Sequence, residues 1–433
     1  MLTTDKLIPI VDTAKAGYSL PQALYCQEDA FSQDMARVIK QKWLLVDHVS
    51  RIPKQGQYFL YEVGQESIIV IRENADTVNA FYNVCRHRGS LLCLEQEGAR
   101  AALTCPYHAW SYNLDGSLKN ARFMPEDFDF SANALNPCHL KIWHGLIFLN
   151  LSDGDAPEFD EEFAALAPWL EFHGFGTAKI AHRAAYPTHA NWKLVVENFL
   201  ECYHCVTAHP EFCSRHDRDA LVACGAGPNS GPVDAAVRFA PVLDAWETRA
   251  AALGRPMGCV DDDAHSANMK FYMQRPHRED ILSETEDGQP VACLMGNRQE
   301  FDHGRMHLSF GPLNHIIACN DFAALIRFTP KQATFTEVDI IWLVDGKAEN
   351  VDVERMIWIW DVTTRQDKTI VENNQRGIAS SRYQPGRYSD QERKVITFTN
   401  WYLNQLRATL NFQRRRRVKS SADFIDLNLA QRL

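Results

Sequence analysis

Two pairs of cysteine and histidine residues lie close together in the first third of the sequence. Cys85 and His87 are separated by one residue, and Cys105 and His108, which follow after an interval of seventeen residues, are separated by two. Two thiolates and two imidazoles can hold a tetrahedral zinc ion. They can also hold a 2Fe–2S cluster, with the cysteines on one iron and the histidines on the other. The residue types therefore predict a metal centre and leave its identity open.

A second group of polar residues lies near position 204. The spacing of apolar residues predicts a helix over Asn191–His209, and Glu201 and His204, three residues apart, would share one face of it. His204 and His209 would lie about 140° apart around a regular helix, too far for one small metal ion. A π-bulge, or a helix end before Pro210, would bring the two imidazoles together. Taken alone, such residues are more often ordinary surface or core residues than ligands.

The secondary structure predicted around these residues differs from one part of the chain to the next. Residues 56–85 contain three short runs rich in β-branched and aromatic residues, and an Asp-Gly hairpin signal follows within Trp110–Lys119. These patterns predict a small antiparallel β domain over residues 42–155. A helical segment, residues 1–41, would precede it and pack on a mixed remainder, residues 156–433. For that remainder the sequence predicts two strands and two helices: Asp321–Thr329, Thr334–Val344, Val351–Ile378 and a closing helix through Leu410.

Composition excludes several classes of protein. The chain has 433 residues, with 45 lysines and arginines against 55 aspartates and glutamates, and its net charge of −10 argues against a nucleic-acid partner. No apolar run reaches the roughly 18 residues needed to cross a bilayer, so no membrane partner is expected. Twelve cysteines, without a secretory signal at the N-terminus, predict a reducing, cytoplasmic location. The basic run Arg414–Arg417 is interpreted as a solvated tail, with docking of a redox partner as the alternative.

Both groups of residues resemble motifs of one enzyme family. The first resembles the C-x-H…C-x-x-H pattern of Rieske domains, which implies a 2Fe–2S cluster held by Cys85, His87, Cys105 and His108. The segment NWKLVVENFLECYHCVTAHPEF resembles the mononuclear iron motif in the alpha subunits of Rieske non-haem iron oxygenases. The resemblance implies that His204 and His209 bind Fe(II) with a carboxylate from a C-terminal helix. In QDKTIVENNQRG the matching carboxylate is Asp367, and Glu372 and Asp361 are its rivals.

The same resemblance implies an architecture. The expected class is α+β, with an all-β Rieske domain joined to a catalytic domain of the helix-grip type, an antiparallel sheet flanked by helices. Family members are usually trimers, in which the cluster of one subunit lies beside the iron of its neighbour. The acidic residue of the second motif, here Glu201, would link cluster ligand His108 to iron ligand His204 across that interface. Asn198 of the same motif is expected to act with Glu201 in catalysis.

Two departures from the usual motif indicate which branch of the family this chain resembles. Ring-hydroxylating members usually have aspartate where this chain has Glu201, and the interval from Asn198 is one residue shorter here. With the string NQRGIASSRYQPGRYS, these features resemble the branch acting on quaternary ammonium compounds, which includes glycine betaine, proline betaine (stachydrine), carnitine and choline monooxygenases. The resemblance implies a monooxygenase that uses O₂ and removes an N-methyl group as formaldehyde. Its electrons would come from NAD(P)H through a separate flavin and iron–sulfur reductase.

Two other functions remain as alternatives. An aromatic-ring hydroxylating or O-demethylating oxygenase would use the same iron sites, and a Rieske electron carrier without oxygenase activity would need little beyond residues 42–155. A quaternary ammonium substrate requires aromatic faces, because a trimethylammonium group has no N–H to donate. Four aromatic residues of the second half are candidates for this role, although each is more typical of a core than of a cage: Phe271, Tyr272, Phe310 and Trp342.

Overall fold

The computed structural model describes residues 4–224, 233–261 and 264–410, and it combines antiparallel sheets with helices, as the α+β prediction requires. One group of sheets is built by residues 44–150, and a larger sheet by residues 178–345. The basic run Arg414–Arg417 lies outside the described residues. Within the described ranges, no helix is both long and apolar enough to cross a membrane.

The first group contains three small sheets with the strand orders β4-β3-β2-β5, β6-β7-β8 and β1-β10-β9. The hairpin predicted within Trp110–Lys119 is confirmed by the antiparallel pair β7–β8, and Gly116 in its turn has a φ of 84°. The strands are β1 Leu44–His48, β2 Gln57–Val63, β3 Glu66–Arg72, β4 Val78–Tyr82, β5 Glu97–Ala99, β6 Leu103–Thr104, β7 Ser111–Tyr112, β8 Leu118–Asn120, β9 His139–Trp143 and β10 Leu146–Asn150.

Strands β2 and β3 are apolar along nearly their whole length because both of their faces are buried. Alternate side chains, including Leu60 and Ile71, belong to the core beneath the Cys85 and Cys105 loops. The intervening side chains, such as Phe59, belong to a second core shared with the large sheet and the helices. This pair of strands therefore joins the two cysteine–histidine loops to the rest of the molecule.

The larger sheet has the strand order β11-β17-β16-β15-β14-β13-β12, with every pair antiparallel. The two strands predicted at Asp321–Thr329 and Thr334–Val344 are confirmed as β16 and β17, which form an antiparallel pair. The strands are β11 Ala178–Thr188, β12 Val260–Asp261, β13 Lys270–Pro276, β14 Gly304–Phe310, β15 Asn314–Ala318, β16 Phe322–Gln332 and β17 Phe335–Asp345.

Helices cover this sheet and carry the residues of the second motif. Val195 of α6, Val371 of α11 and Phe328 of β16 lie in one apolar core, which fixes both helices against the sheet. The helices are α1 Thr4–Thr13, α2 Gln22–Cys26, α3 Glu28–Arg37, α4 Phe159–Phe163, α5 Ala167–Phe172, α6 Trp192–Phe199, α7 Cys205–Ala208, α8 Pro210–Arg215, α9 Arg218–Cys224, α10 Val233–Ala252, α11 Val353–Ile378 and α12, residues 393–410.

The N-terminal helices bind to α6 and α12 through buried polar contacts. The hydroxyl of Tyr25 in α2 donates to Glu197 Oε1 of α6 at 2.7 Å. The fully buried carboxylate of Asp34 in α3 accepts hydrogen bonds from Trp192 Nε1 at 3.1 Å, from Tyr402 OH at 2.6 Å and from the Lys193 ammonium. Asp34 thus ties together three helices that are distant in sequence.

Replacing Asp34 by alanine is expected to lower the free energy of unfolding by about 3–5 kcal/mol, because the buried Lys193 ammonium would lose its counter-ion. Chemical denaturation measures the change. Combining D34A with Lys193→Met should recover much of the loss, since neither charge would then remain buried. As a matched control, the exposed pair of Lys141 and Asp160 should be worth about 1 kcal/mol or less when Asp160 is replaced by alanine. A double variant no more stable than D34A would show that the buried charge is not the cause.

Candidate metal centres and catalytic cleft

The four residues of the first motif come together at the tip of the small β domain. Cys85 and Cys105 are buried beneath two adjacent loops, and their thiol groups lie within hydrogen-bonding reach of each other. His87 and His108 are exposed on the same loops, with ring centroids 4.6 Å apart. Two sulfur ligands therefore lie inside, and two imidazoles lie at the surface.

The two loops share one backbone conformation. The N–H of Cys85 and the N–H of Cys105 each donate to the carbonyl five residues further on, both at 2.8 Å. The residue four positions after each cysteine, Gly89 or Ala109, has a left-handed φ of 75° or 59°. Because both loops turn in the same way, the two cysteines face each other, as a cluster held by two ligands from each loop requires.

Contacts around the loops orient the ligand groups. The Tyr112 hydroxyl lies 3.3 Å from Cys85 Sγ, and the His87 ring stacks on the Trp110 indole with centroids 4.8 Å apart. Burial raises the pKa of the Cys85 thiol. A thiol in such apolar surroundings becomes a thiolate when a metal replaces its proton. Cys93, which lies between the two pairs in the sequence, is also buried, and burial raises its pKa to about 11.

The predicted single helix over Asn191–His209 is wrong, and the break creates the second site. Asn191 caps α6 and accepts a hydrogen bond from the N–H of Lys193 at 3.0 Å, but α6 ends at Phe199. The Glu201 carboxylate then accepts hydrogen bonds from the N–H groups of the two residues that follow Cys202. Such side-chain contacts to the backbone compete with helix continuation. A short second helix, α7, places His204 and His209 on the same side.

His204, His209 and Asp367 converge on one point, although Asp367 lies on α11. The two Nε2 atoms are 3.1 Å apart, and Asp367 Oδ1 lies 3.3 Å from Nε2 of His204 and 3.0 Å from Nε2 of His209. Ligand atoms at right angles around a metal with bonds of ~2.1 Å are separated by ~3.0 Å. The three atoms therefore have the spacing of one face of an octahedral metal site.

Neighbouring residues determine which imidazole nitrogens carry protons. The Glu201 carboxylate only accepts hydrogen bonds, so His204 Nδ1 is the donor in their contact, and in the neutral imidazole Nε2 keeps its lone pair for a metal. Glu211 accepts from the Gln366 amide nitrogen at 2.8 Å, which turns Gln366 Oε1 toward His209 Nδ1 at 2.8 Å. His209 Nε2 therefore also presents a lone pair.

Three electron-pair donors thus face one another, and this arrangement requires a positive charge between them. Burial alone would lower the pKa of His204, but its hydrogen bonds with Asp367 and Glu201 raise that pKa to about 10. Burial alone would raise the pKa of Asp367, but its contacts with His204 and His209 lower it. The cluster consequently attracts a cation, and its donor set of two imidazoles and one carboxylate fits Fe(II).

The other acidic candidates lie outside this cluster. Asp361 accepts from the Tyr186 hydroxyl at 2.8 Å and from Arg365 at 2.9 Å. Glu372 accepts from the backbone N–H of His189 at 2.9 Å and pairs with Lys368. Both rival carboxylates therefore have other partners, and the geometry favours Asp367.

Asn198, which was predicted from the motif, lies at the cluster. Two further residues, Gln366 and Glu211, contribute to the site and were not predicted from the sequence. Asn198 Nδ2 donates to Asp367 Oδ1 at 2.7 Å, so it orients the carboxylate. The chain of hydrogen bonds from Glu211 through Gln366 orients His209 in the same way. A sequence signal for Gln366 did exist, because it directly precedes Asp367 in the motif.

A cleft of about 700 Å³ opens on the three converging residues. Of the four aromatic residues considered for a cage, only Phe271 lines it. Tyr272 stacks on Trp169 in the core, while Phe310 and Trp342 are also buried in the core. The core interpretation therefore holds for these three. The phenyl and indole rings that line the cleft belong to Phe199, Phe212, Phe271 and Trp360.

Sequence comparison identifies the class of protein that this architecture represents. Residues 175–408 match the family described as ring hydroxylating alpha subunit (catalytic domain), and residues 42–139 match the Rieske 2Fe-2S domain. The chain therefore belongs to the ring-hydroxylating alpha-subunit family and is a Rieske non-haem iron oxygenase. Its cofactors are a 2Fe–2S cluster and a mononuclear iron.

Individual relatives agree with the branch predicted from the sequence. The chain is 36% identical to the glycine betaine monooxygenase oxygenase subunit of Chromohalobacter salexigens, over 91% of this chain and 87% of that protein. It is also 36% identical to the carnitine monooxygenase oxygenase subunit of Escherichia coli (strain K12), over 45% of this chain and 53% of that protein. The crystal structure of a quaternary ammonium Rieske monooxygenase superposes with a TM-score of 0.67 at 22% identity, covering 93% of this chain and 98% of that one, which is a likeness of fold.

Proposed function

We propose that this oxygenase removes an N-methyl group from a betaine-like quaternary ammonium compound and releases it as formaldehyde. The observation that carries the proposal is the convergence of His204, His209 and Asp367 at a cleft lined by aromatic rings. Aromatic faces and nearby carboxylates are the groups that hold a methylated ammonium ion. Two relatives are named as glycine betaine and carnitine monooxygenase oxygenase subunits, and these names support the same substrate class.

In this proposal each metal centre has its own residues. Fe(II) is held by His204, His209 and Asp367, and these imidazoles are oriented by Glu201 and Gln366. The 2Fe–2S cluster is held by Cys85, His87, Cys105 and His108. When bound, the two groups supply one-electron transfer and activation of O₂. The protein's own contribution is to hold substrate beside the three ligand atoms and to exclude bulk water from them.

We further propose that the chain works as a head-to-tail homotrimer in which Glu201 links His204 to His108 of a neighbouring subunit. His108 is exposed, so an electron can leave the cluster at the surface of the chain. Exposed apolar side chains lie beside both ends of the proposed path: Leu91 and Tyr107 next to the cluster loops, and Tyr203 and Val206 next to Glu201. Apolar surface of this kind is typical of protein–protein contacts.

The remaining partners also belong to the proposal. Residues 42–155 would form the electron-transfer domain. Residues 156–433, with the packed segment 1–41, would form the catalytic domain. Electrons would come from NAD(P)H through a separate flavin and iron–sulfur reductase, and the enzyme would operate in the cytoplasm. Each chain would thus receive electrons at its exposed histidines and use them at the iron of its neighbour.

A turnover assay tests the reaction. The oxygenase, supplied with a matching reductase, NADH and O₂, is expected to consume glycine betaine or a related betaine and to release formaldehyde and the demethylated amine in equal amounts. Aromatic acids and aryl methyl ethers serve as the comparison substrates. Product formed only from those compounds would favour ring hydroxylation or O-demethylation, and no product from any of them would overturn the proposed activity.

A further inference from the structure

Asp367 borders a second cavity besides the catalytic cleft. This second cavity has a volume of about 410 Å³ and lies between α6, α11 and the large sheet. Four residues line both spaces: Asn198, Phe199, Trp360 and Asp367. His204 and His209 line only the cleft. The carboxylate of the proposed iron site therefore lies where the two spaces adjoin.

Most of the wall of the second cavity is apolar. It includes five aliphatic and aromatic residues, all of them buried members of one core: Val195, Ile326, Phe328, Val338 and Val371. Protein interiors are close-packed and contain few voids larger than a water molecule. A space of this size in the core, directly beside a metal-ligand candidate, is therefore an unusual feature of the fold.

The polar groups of the lining are largely occupied by other parts of the protein. The Thr188 hydroxyl donates to the carbonyl of Tyr186 at 2.9 Å, and Trp360 Nε1 donates to Glu284 at 3.2 Å. The Lys368 ammonium donates to a backbone carbonyl and to a carboxylate. A buried water molecule makes about three hydrogen bonds to polar partners. Apolar cavities without such partners stay dry and bind xenon or small hydrocarbons.

The second cavity extends toward the surface along one face of α11. Thr364, Asp367, Lys368 and Val371 are spaced three or four residues apart, so they share that face. Val371 is buried, whereas Thr364 and Lys368 are half-buried and mark the end nearer to the surface. A small uncharged molecule that enters there meets mainly apolar surface before it reaches Asp367.

The catalytic cleft has a different lining. Its wall includes the charged side chains of Glu201, Arg305 and Lys394. Charged groups retain water or ionic partners, because removing a charge from such surroundings costs much free energy. The cleft therefore suits a charged, water-soluble organic substrate, whereas the second cavity suits a small apolar molecule.

We propose that the second cavity is the path by which O₂ reaches the iron site, while the organic substrate enters by the cleft. O₂ is small, uncharged and a poor partner for hydrogen bonds, so a dry apolar cavity holds it in preference to water. Entry beside Asp367 allows O₂ to arrive while the organic substrate fills the cleft. The inference rests on the oxygenase class of the chain, and it holds whatever the organic substrate is.

Xenon tests whether the second cavity accepts an apolar atom. Crystals of the wild-type protein, with cluster and iron present, are equilibrated with xenon under pressure. Electron density for xenon is expected between Val338 of β17 and Val371 of α11, in contact with apolar side chains only. Ordered water in that space, or a cavity without xenon, would overturn the proposed path.

Nitric oxide, a diatomic gas that binds Fe(II), measures how fast a gas reaches the iron without reductase or organic substrate. Val338→Phe fills part of the second cavity and should slow nitric oxide association severalfold in stopped-flow experiments. Val338→Leu should have a smaller effect in the same direction. Val344→Leu is the matched control, because Val344 is a buried valine of the same strand that does not line the cavity, and its rate should equal that of the wild type.

The variants distinguish blocked access from general strain in the core. Melting temperature and iron content show whether each variant is folded and loaded, and V338L compared with V344L decides the question if V338F does not fold. Association at the wild-type rate in folded V338F, or equal slowing in V338L and V344L, would overturn the path. None of these measurements uses an organic substrate, so failure of the proposed N-demethylation would leave their outcome unchanged.

Discussion

Replacing His204 by alanine is expected to abolish formaldehyde release while leaving the Rieske spectrum of the protein unchanged. The iron content should fall from about three atoms per chain to about two, because the cluster keeps both of its irons and the mononuclear site loses its own. Iron analysis, optical and electron paramagnetic resonance spectra and the turnover assay measure these quantities on one preparation.

The physical reason lies in the geometry of the site. His204 supplies one of three ligand atoms that lie 3.0 to 3.3 Å apart, and no other ligand-bearing side chain belongs to this group within the described residues. Alanine would leave one imidazole and one carboxylate, a set too small to hold iron tightly. The cluster cysteines, Cys85 and Cys105, belong to a separate core in the β domain, so the 2Fe–2S site should be unaffected.

A matched control is His189→Ala, which removes an exposed imidazole outside the cluster. This variant should keep its iron and its activity. Retained turnover in H204A, or iron loss in both variants, would show that the assignment of the ligands is wrong.

The second large effect is expected from Glu201→Gln, which should slow product formation by about 10- to 100-fold with both metal centres still present. Glutamine keeps the shape of the side chain and an oxygen that can accept the proton of His204 Nδ1. It loses the negative charge, and its amide nitrogen cannot accept a hydrogen bond from a second imidazole. The proposed link to the neighbouring subunit's cluster would therefore be broken while His204 remains oriented.

A single-turnover experiment isolates this step. The cluster is reduced chemically, excess reductant is removed, and glycine betaine and O₂ are added. In the wild type the spectrum of the reduced cluster should disappear as product forms. In E201Q both changes should be slow. Glu201→Asp, which keeps the charge on a shorter side chain, should recover part of the rate. A normal rate in E201Q would exclude the bridging role. Loss of the mononuclear iron from E201Q would show instead that Glu201 acts by orienting His204.

Much of this site could be predicted from local sequence, because its ligands lie in short segments. Each cluster loop carries one cysteine and one histidine within four residues, so spacing alone brought the pairs together, and their resemblance to Rieske domains selected iron over zinc. The long helix Val353–Ile378 and the paired strands β16 and β17 also agree with their local patterns. These elements depend on periodicity and turn residues, which a sequence displays directly.

The spacing around position 204 was misleading for a physical reason. A regular helix over Asn191–His209 would keep the two imidazoles apart, and the apolar pattern gave no sign that the helix ends at Phe199. The break depends on the Glu201 carboxylate, which bonds the N–H groups of the following turn. A hydrogen bond of one side chain can thus override helical periodicity.

The sequence by itself determined the cysteine–histidine loops, the helical and strand segments and, through resemblance, the family of the enzyme. Only the tertiary structure brought Asp367 within 3.0 Å of His209 and placed both residues at a cleft lined by aromatic rings. Contacts between residues separated by more than a hundred positions depend on how helices and sheet pack, and no local pattern encodes that packing. The iron site therefore depends on packing, whereas the cluster ligands could be predicted from spacing.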